Sequence, residues 1–241
     1  MSHFIIGVDE VGRGCLIGDV VVCALVLPND ILTVEQNSLS NDTSVEFIEL
    51  AKADNVGLIP NHALSALTDS KKLTEKKREA LFPLILQTAV ASQIVKVSAI
   101  MIDKLNILQA TLWGMSQAVV GVMAKVLQTD PTATFSVMVD GNKLPYLADL
   151  PQFEAITVEQ AIVKGDGKHA TISGASVLAK VTRDRDMVAL AQLYPNYGLD
   201  KHKGYPTASH VQAIESHGVL PMHRKSFAPV KNLIEIPLEN Q

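Results

Sequence analysis

The sequence predicts an α/β protein, a mixed central β-sheet with α-helices packed against it. Two apolar, β-branched runs, Ile5 to Val8 and Val20 to Leu27, open the chain as a pair of buried strands around a glycine-rich turn. After them, short apolar runs alternate with long segments of helical periodicity, the pattern of strands and covering helices. With 241 residues, 47% of them hydrophobic, the chain can bury one sizeable core, so 1–241 is expected to form a single domain.

Each element has its own warrant. The turn between the opening strands reads DEVGRGCLIGD. Residues 28–65 are rich in Pro, Asn, Asp and Ser, with one possible helix at Ser44 to Ala53, and are expected to form a surface excursion. Asp69 or Ser70 is placed to cap a helix over Lys71 to Gln87, with Leu73, Leu81 and Leu84 on its apolar side and KKLTEKKR on its basic one. A strand is expected at Ile94 to Ile100. From Asp103 to Lys125, Leu105, Leu108, Leu112, Met115, Val119 and Val122 recur at spacings of three and four, which predicts an amphipathic helix. Phe135 to Val139 predicts a buried strand ending at Asp140, and Glu154 to Val163 another ending before KGDGKH. A long helix over Ser173 to Leu193, a loop at His202 to Pro206 and a last helix near Ala208 to Ser216 complete the chain. There is no internal repeat or low-complexity tract.

Composition narrows the classes. The N-terminal apolar run is only a few residues long and ends in two acids, so it predicts neither a signal peptide nor a membrane span, and a cytoplasmic protein is expected. Cys15 and Cys23 are the only cysteines and have no Cys/His cluster around them; neither a disulfide nor a zinc site is suggested. The net charge of −4 is unevenly spread. Residues 30–62 carry six acids against Lys52, a net of −5, which leaves +1 elsewhere and predicts an acidic surface insertion facing away from any polyanion. From Lys164 to Lys231 ten Lys or Arg stand against five acids, so a phosphate-facing surface belongs there if anywhere.

Three apolar runs lead into carboxylates: Ile5 to Val8 into Asp9 and Glu10, Phe135 to Val139 into Asp140, and Ala161 to Val163 into Asp166. Taken singly, each acid is equally a turn residue. Gathered together they would repel one another unless a cation neutralised them, and an all-oxygen set favours Mg²⁺ or Mn²⁺. Such a cluster suits two-metal phosphodiester hydrolysis, with ions roughly 3.5–4 Å apart and no side-chain nucleophile.

The words GVDEVGRG, TDSKKLT, VDGN, IVKGD, SGASVLAKVTRDRDM, YGLDKHKGYPT and HRKSFAPVK occur in this order, and from about Ile5 to Lys231 they closely resemble the ribonuclease HII family, the type 2 ribonucleases H. The resemblance implies a ribonuclease H-like sheet with a small helical C-terminal region, about 195–241, that helps bind substrate. It implies endonucleolytic cutting of the RNA strand of RNA-DNA hybrids and 5′-side incision at single ribonucleotides embedded in duplex DNA, leaving 5′-phosphate and 3′-hydroxyl ends. It makes Asp9, Glu10, Asp140 and Asp166 the metal-binding catalytic carboxylates, serving two Mg²⁺ or Mn²⁺ ions. Gly12, Arg13 and Gly14 match the element whose backbone meets the 2′-hydroxyl in the minor groove. Tyr205 matches the tyrosine that packs on the deoxyribose 3′ of the ribonucleotide. Lys71, with Lys72, Lys180, Arg183 and Lys203, is a candidate phosphate contact, and Ser173 and Ser176 are placed near a helix N-terminus. His169 is not needed by the pattern and is expected in an exposed loop. A monomer is implied.

Cys15 stands where the family usually has Pro, Gly167 and Lys168 replace a small-then-basic pair, and Gly174 replaces Ala; every carboxylate is intact. The chain lacks the C-terminal length that some relatives use as a binding tail, so duplex affinity is expected from the main domain and its final helices. Two other readings stand beside this one. An actin-like sugar or acetate kinase needs a second phosphate hairpin and an adenosine pocket, neither of which is visible. A non-catalytic duplex-binding module would not require all four acids.

Overall fold

In this computed structural model, which describes residues 2–28 and 73–234, the opening runs pair as expected. β1 (His3–Val11) lies antiparallel to β2 (Val20–Val26), with Val8 opposite Ala24. β2 reads VVVCALV with no polar alternation because both its faces and both its edges are covered. Its outer edge pairs antiparallel with β3 (Ala91–Val97). Cys23 lies in β2 and Cys15 in the turn after β1; both are buried free thiols.

Several boundaries move for local reasons. Helix α1 (Glu75–Thr88) starts later than Lys71, because the Thr74 hydroxyl accepts from the Lys77 N–H and caps it. Asp69, Ser70, Lys71, Lys72 and the acidic 30–62 segment lie outside the described residues. β3 stops at Val97 because Ser98 caps a separate helix, α2 (Ala99–Leu105), accepting from Met101 N–H. The long amphipathic pattern then resumes as α3 (Ile107–Thr129) after Asn106, whose φ of 66° breaks the helix and whose side chain caps the next one.

β4 (Thr134–Asp140) adds parallel to the free side of β1, and β5 (Ile156–Ile162) adds parallel to β4, giving the order β3-β2-β1-β4-β5. Glu154 and Ala155, expected to begin β5, lie instead in a 3-10 turn, Phe153–Ala155. Strand alternation sorts the sheet into two faces. Ile6, Val8, Val22, Ala24, Phe135, Val137 and Val139 pack on α3 through Met115, Val119, Val122 and Val126. Val21, Cys23 and Leu25 pack on α1 and on α4 (Ala170–Leu193) through Ile85, Ala175 and Leu178. Each large apolar side chain so buried contributes about 1.5–3 kcal/mol before entropy is counted. By length and composition α3 alone among the described helices could cross a membrane; here its apolar side is this core.

The C-terminal part is helical, as expected: α5 (Leu199–His202), α6 (Ala208–His217) and α7 (Val230–Ile234). It shares a small core with the turn after β1, where Leu16 and Ile17 meet Met187, Tyr197, Leu199, Ile214 and Val230.

Candidate active site

β1 and β4 run parallel with Val8 opposite Val139, so Asp9 and Asp140 leave the sheet at the same level. Asp9 alternates with Val8, and Asp140 with Val139, both of which face α3; the two carboxylates therefore share the α4 face. β5 ends beside Asp140, and the chain turns through Lys164, at φ 58°, into a 3-10 turn, Gly165–Gly167, that carries Asp166. That turn holds its neighbour in place, since Gly165 N–H donates to Asp140 Oδ1 at 2.7 Å. One oxygen from each of Asp9, Asp140 and Asp166 lies within 4.8 Å of the others. Asp9 and Asp166 are buried, and Asp140 is half-buried.

Gly7 sets how closely α4 approaches. A Cβ there would stand 2.3 Å from the Thr171 carbonyl carbon and 2.4 Å from Ile172 N. With no side chain at position 7, the first turn of α4 lies directly on β1, and Ser176 reaches Asp9 with a hydrogen bond from its hydroxyl.

Glu10 follows Asp9 in β1 and is not among the three clustered oxygens, though its charge acts on Asp9 and that of Asp140 acts on it. Its Oε1 accepts from Arg13 Nη1 at 3.2 Å, while its Oε2 is buried with no hydrogen-bond partner among the described residues. Burial, then the Glu10 charge, push the Asp9 carboxyl well above its usual range; Ser176 opposes this and Asp140 adds to it. Burial raises Glu10 as well, against the pull of Arg13. Two buried carboxyls raised in this way, beside the oxygens of Asp140 and Asp166, suit a divalent cation.

Next to this cluster, Gly12 (φ 90°) turns the chain out of β1. A Cβ on Gly14 would lie 4.0 Å from Tyr205 Cε1, so the Tyr205 ring, 42% exposed, stands over the Gly12–Gly14 turn. The structure thus brings Gly12, Arg13, Gly14 and Tyr205 to one surface beside the acids.

The expectations for Arg183, Ser173, Ser176 and His169 need correction. Arg183 is 2% exposed and donates from Nη2 to the Ile17 carbonyl, so it cannot hold a phosphate. Lys180 is paired with Asp184 at 2.7 Å, and Lys203 Nζ lies 3.7 Å from Glu75. α4 begins at Ala170, which puts Ser173 and Ser176 inside it, buried, rather than at its N-terminus. His169 precedes α4 and is half-buried, not exposed; burial lowers its pKa. Ser176 is the site residue that the sequence reading missed in its actual role. Its signal was the i, i+3 pair Ser173 and Ser176 in a run of small residues, the side of a helix that can lie close on a strand.

The family model for ribonuclease HII matches residues 60–230. The ribonuclease HII of Psychrobacter sp. (strain PRwf-1) is 44% identical over 260 residues, covering 97% of this chain and 80% of that protein. That of Marinomonas sp. (strain MWYL1) is 44% identical over 229 residues, covering 95% and 92%. Among solved structures, the ribonuclease H2 of Pyrococcus horikoshii OT3 superposes with a TM-score of 0.65 at 22% identity, over 95% of this chain and 96% of that one. Bst-RNase HIII in complex with Mn²⁺ gives a TM-score of 0.67 at 18% identity, over 97% and 70%. At those identities the two structures speak for the fold alone, and the fold is the ribonuclease H-like one expected.

Proposed function

The chain belongs to the ribonuclease HII family and is a ribonuclease H endonuclease, and from that premise we propose that besides RNA-DNA hybrids it incises duplex DNA on the 5′ side of single embedded ribonucleotides. The chemistry proposed is two-metal-ion phosphodiester hydrolysis, leaving 5′-phosphate and 3′-hydroxyl ends. The observation that carries this reading is the approach of Asp9, Asp140 and Asp166 to within 4.8 Å on one end of a parallel strand pair.

The donor set fits Mg²⁺ or Mn²⁺, being all oxygen and strongly anionic. Asp9, Glu10, Asp140 and Asp166 would hold the ions, Glu10 through the buried Oε2 that lacks a hydrogen bond. Two such ions, when bound, supply an activated water and charge neutralisation at the leaving oxygen. The protein's own part is placement. Ser176 and the Glu10 N–H, which donates to Asp9 Oδ1 at 2.7 Å, orient Asp9, and Gly165 N–H orients Asp140. The Gly12–Gly14 backbone meets the ribose 2′-hydroxyl in the minor groove, with Arg13 between it and Glu10. Tyr205 packs on the deoxyribose that follows, where a second 2′-hydroxyl would crowd the ring. Lys71 contacts a phosphate.

A DNA duplex with one embedded ribonucleotide, incubated with the protein and Mg²⁺, Mn²⁺ or EDTA, tests this. Cleavage on the 5′ side of the ribonucleotide is expected, abolished by EDTA and lowered by about 10³ or more in Asp140→Asn. Duplex binding with no cleavage of this substrate or of a hybrid under any metal would overturn the reading in favour of a non-catalytic binding module.

A further inference from the structure

Arginine is seldom fully buried unless paired with a carboxylate. Arg183, in α4, and Arg224, after α6, are 2% and 0% exposed, yet among the described residues neither forms an ion pair. Their hydrogen bonds go to backbone carbonyls of one turn. Arg183 Nη2–H donates to Ile17 O at 2.6 Å, and Arg224 donates from Nε to Gly18 O and from Nη1 to Arg13 O, both at 2.9 Å. The backbone N–H of Arg224 takes Leu16 O at 2.8 Å, and the Phe227 ring lies 5.2 Å from its guanidinium carbon. Asp19 and Asp103 favour the Arg224 charge only at a distance, because Asp103 is occupied by Lys225 N–H and Ser226.

Arg183 is also enclosed by three glycines from two turns. A Cβ would stand 3.0 Å from its Nε at Gly12, 2.5 Å from Nη1 at Gly18 and 3.2 Å from Nη2 at Gly204. Gly204 immediately precedes Tyr205, and its carbonyl accepts from Leu16 N–H at 2.8 Å. The turn that carries Gly12–Gly14 and the turn that carries Tyr205 are therefore both built around the same guanidinium. Among the described residues, Arg183 Nε and Arg224 Nη2 remain buried without hydrogen-bond partners. Apolar side chains of similar size would fill this space without the desolvation cost, so packing alone does not account for two arginines.

We propose that Arg183 and Arg224 are positioning residues for junction recognition, locking the Gly12–Gly18 turn and the Gly204–Tyr205 turn into one unit and so fixing the distance between Gly14 and the Tyr205 ring. This rests on the reading that Tyr205 packs on the deoxyribose 3′ of the ribonucleotide. Discrimination by crowding a single hydroxyl depends on placement to a fraction of an ångström, and the forked, planar guanidinium holds carbonyls in a way that a lysine ammonium does not.

The test uses the full chain with Mg²⁺ or Mn²⁺ and measures the ratio of kcat/KM for a single-ribonucleotide duplex to that for a uniform RNA-DNA hybrid. Wild type, Arg183→Lys, Arg224→Lys and Tyr205→Ala are compared, each checked by circular dichroism to be folded; Gly204→Ala, which presses a methyl on the Arg183 guanidinium, serves should a lysine variant not fold. General destabilisation scales both rates and leaves the ratio alone. The expected result is a fall in the ratio of about threefold or more in the lysine variants, in the same direction as Tyr205→Ala. An unchanged ratio in the lysine variants, beside a lowered one in Tyr205→Ala, overturns the proposal and leaves the Tyr205 reading standing. An unchanged ratio in Tyr205→Ala sinks that reading and this proposal together.

Discussion

A single methyl group at position 7 measures how tightly the site is held. In Gly7→Ala the new Cβ meets the Thr171 and Ile172 backbone at 2.3–2.4 Å, and backbone, unlike a side chain, cannot rotate away. Overpacking of this kind costs about 1–3 kcal/mol, and the upper end is expected here. Activity falls by more than stability does, since displacing α4 carries Ser176 away from Asp9; single-turnover cleavage alongside urea unfolding separates the two effects. Asp9, Asp140 and Asp166 were legible in the sequence because each follows an apolar strand-like run. Arg183 was not. A charged residue in TRDRD reads as surface, and its burial comes from Gly12, Gly18 and Gly204, two turns far apart in sequence from it and from each other.

Among the elements, the junction of α2 and α3 was hidden by a periodicity that runs through it. Leu105, Leu108 and Leu112 keep helical spacing, and one residue with φ 66° and ψ 162° resets the axis without disturbing the pattern. Asn106 adopts a backbone region that side chains avoid, and it caps α3 through Gln109 N–H at 3.1 Å. Asn106→Ala keeps the strain and loses the cap, so it is expected to destabilise by about 1–2 kcal/mol, whereas Asn106→Gly relieves the strain and stays closer to wild type; denaturant midpoints check the order. The strands were easier to read: β2 and β4 have short, continuous apolar stretches that no surface helix would carry. Thr74 and Ser98 show the opposite difficulty, since any of several Ser, Thr or Asp residues could have capped α1, and the choice depends on where tertiary packing starts the helix.

Across the whole molecule, the C-terminal helices are fastened by neutral histidines. His223 Nδ1 accepts from Leu220 N–H at 2.8 Å, which puts its proton on Nε2, 3.4 Å from His210 Nε2; His210 Nδ1 donates to Tyr205 O at 3.0 Å. Burial, with the neighbouring His210, lowers the His223 pKa to about 4, and burial lowers His210 too. An unfolded histidine titrates near 6.5, so for His223 between roughly pH 6.5 and 4 the unfolded chain binds the extra proton and stability drops, by up to about 1.4 kcal/mol per pH unit. Below that window the loss levels off. Buried Asp9 and Glu10, raised in pKa, act in the opposite sense, so the comparison is with His223→Asn, which is expected to flatten the acid limb of melting temperature against pH; an equally steep limb in the variant would count against the histidine origin. The central strand pairing has a consequence in time. β1 and β4 close the middle of the sheet with His3 opposite Thr134, 131 positions later, and Asp166 lies further on still. As the chain leaves the ribosome, β1 waits with one edge open until more than half of the protein has followed it. No earlier stage of synthesis holds the three carboxylates together, so a nascent or prematurely ended chain carries no assembled site with which to cut the nucleic acid around it.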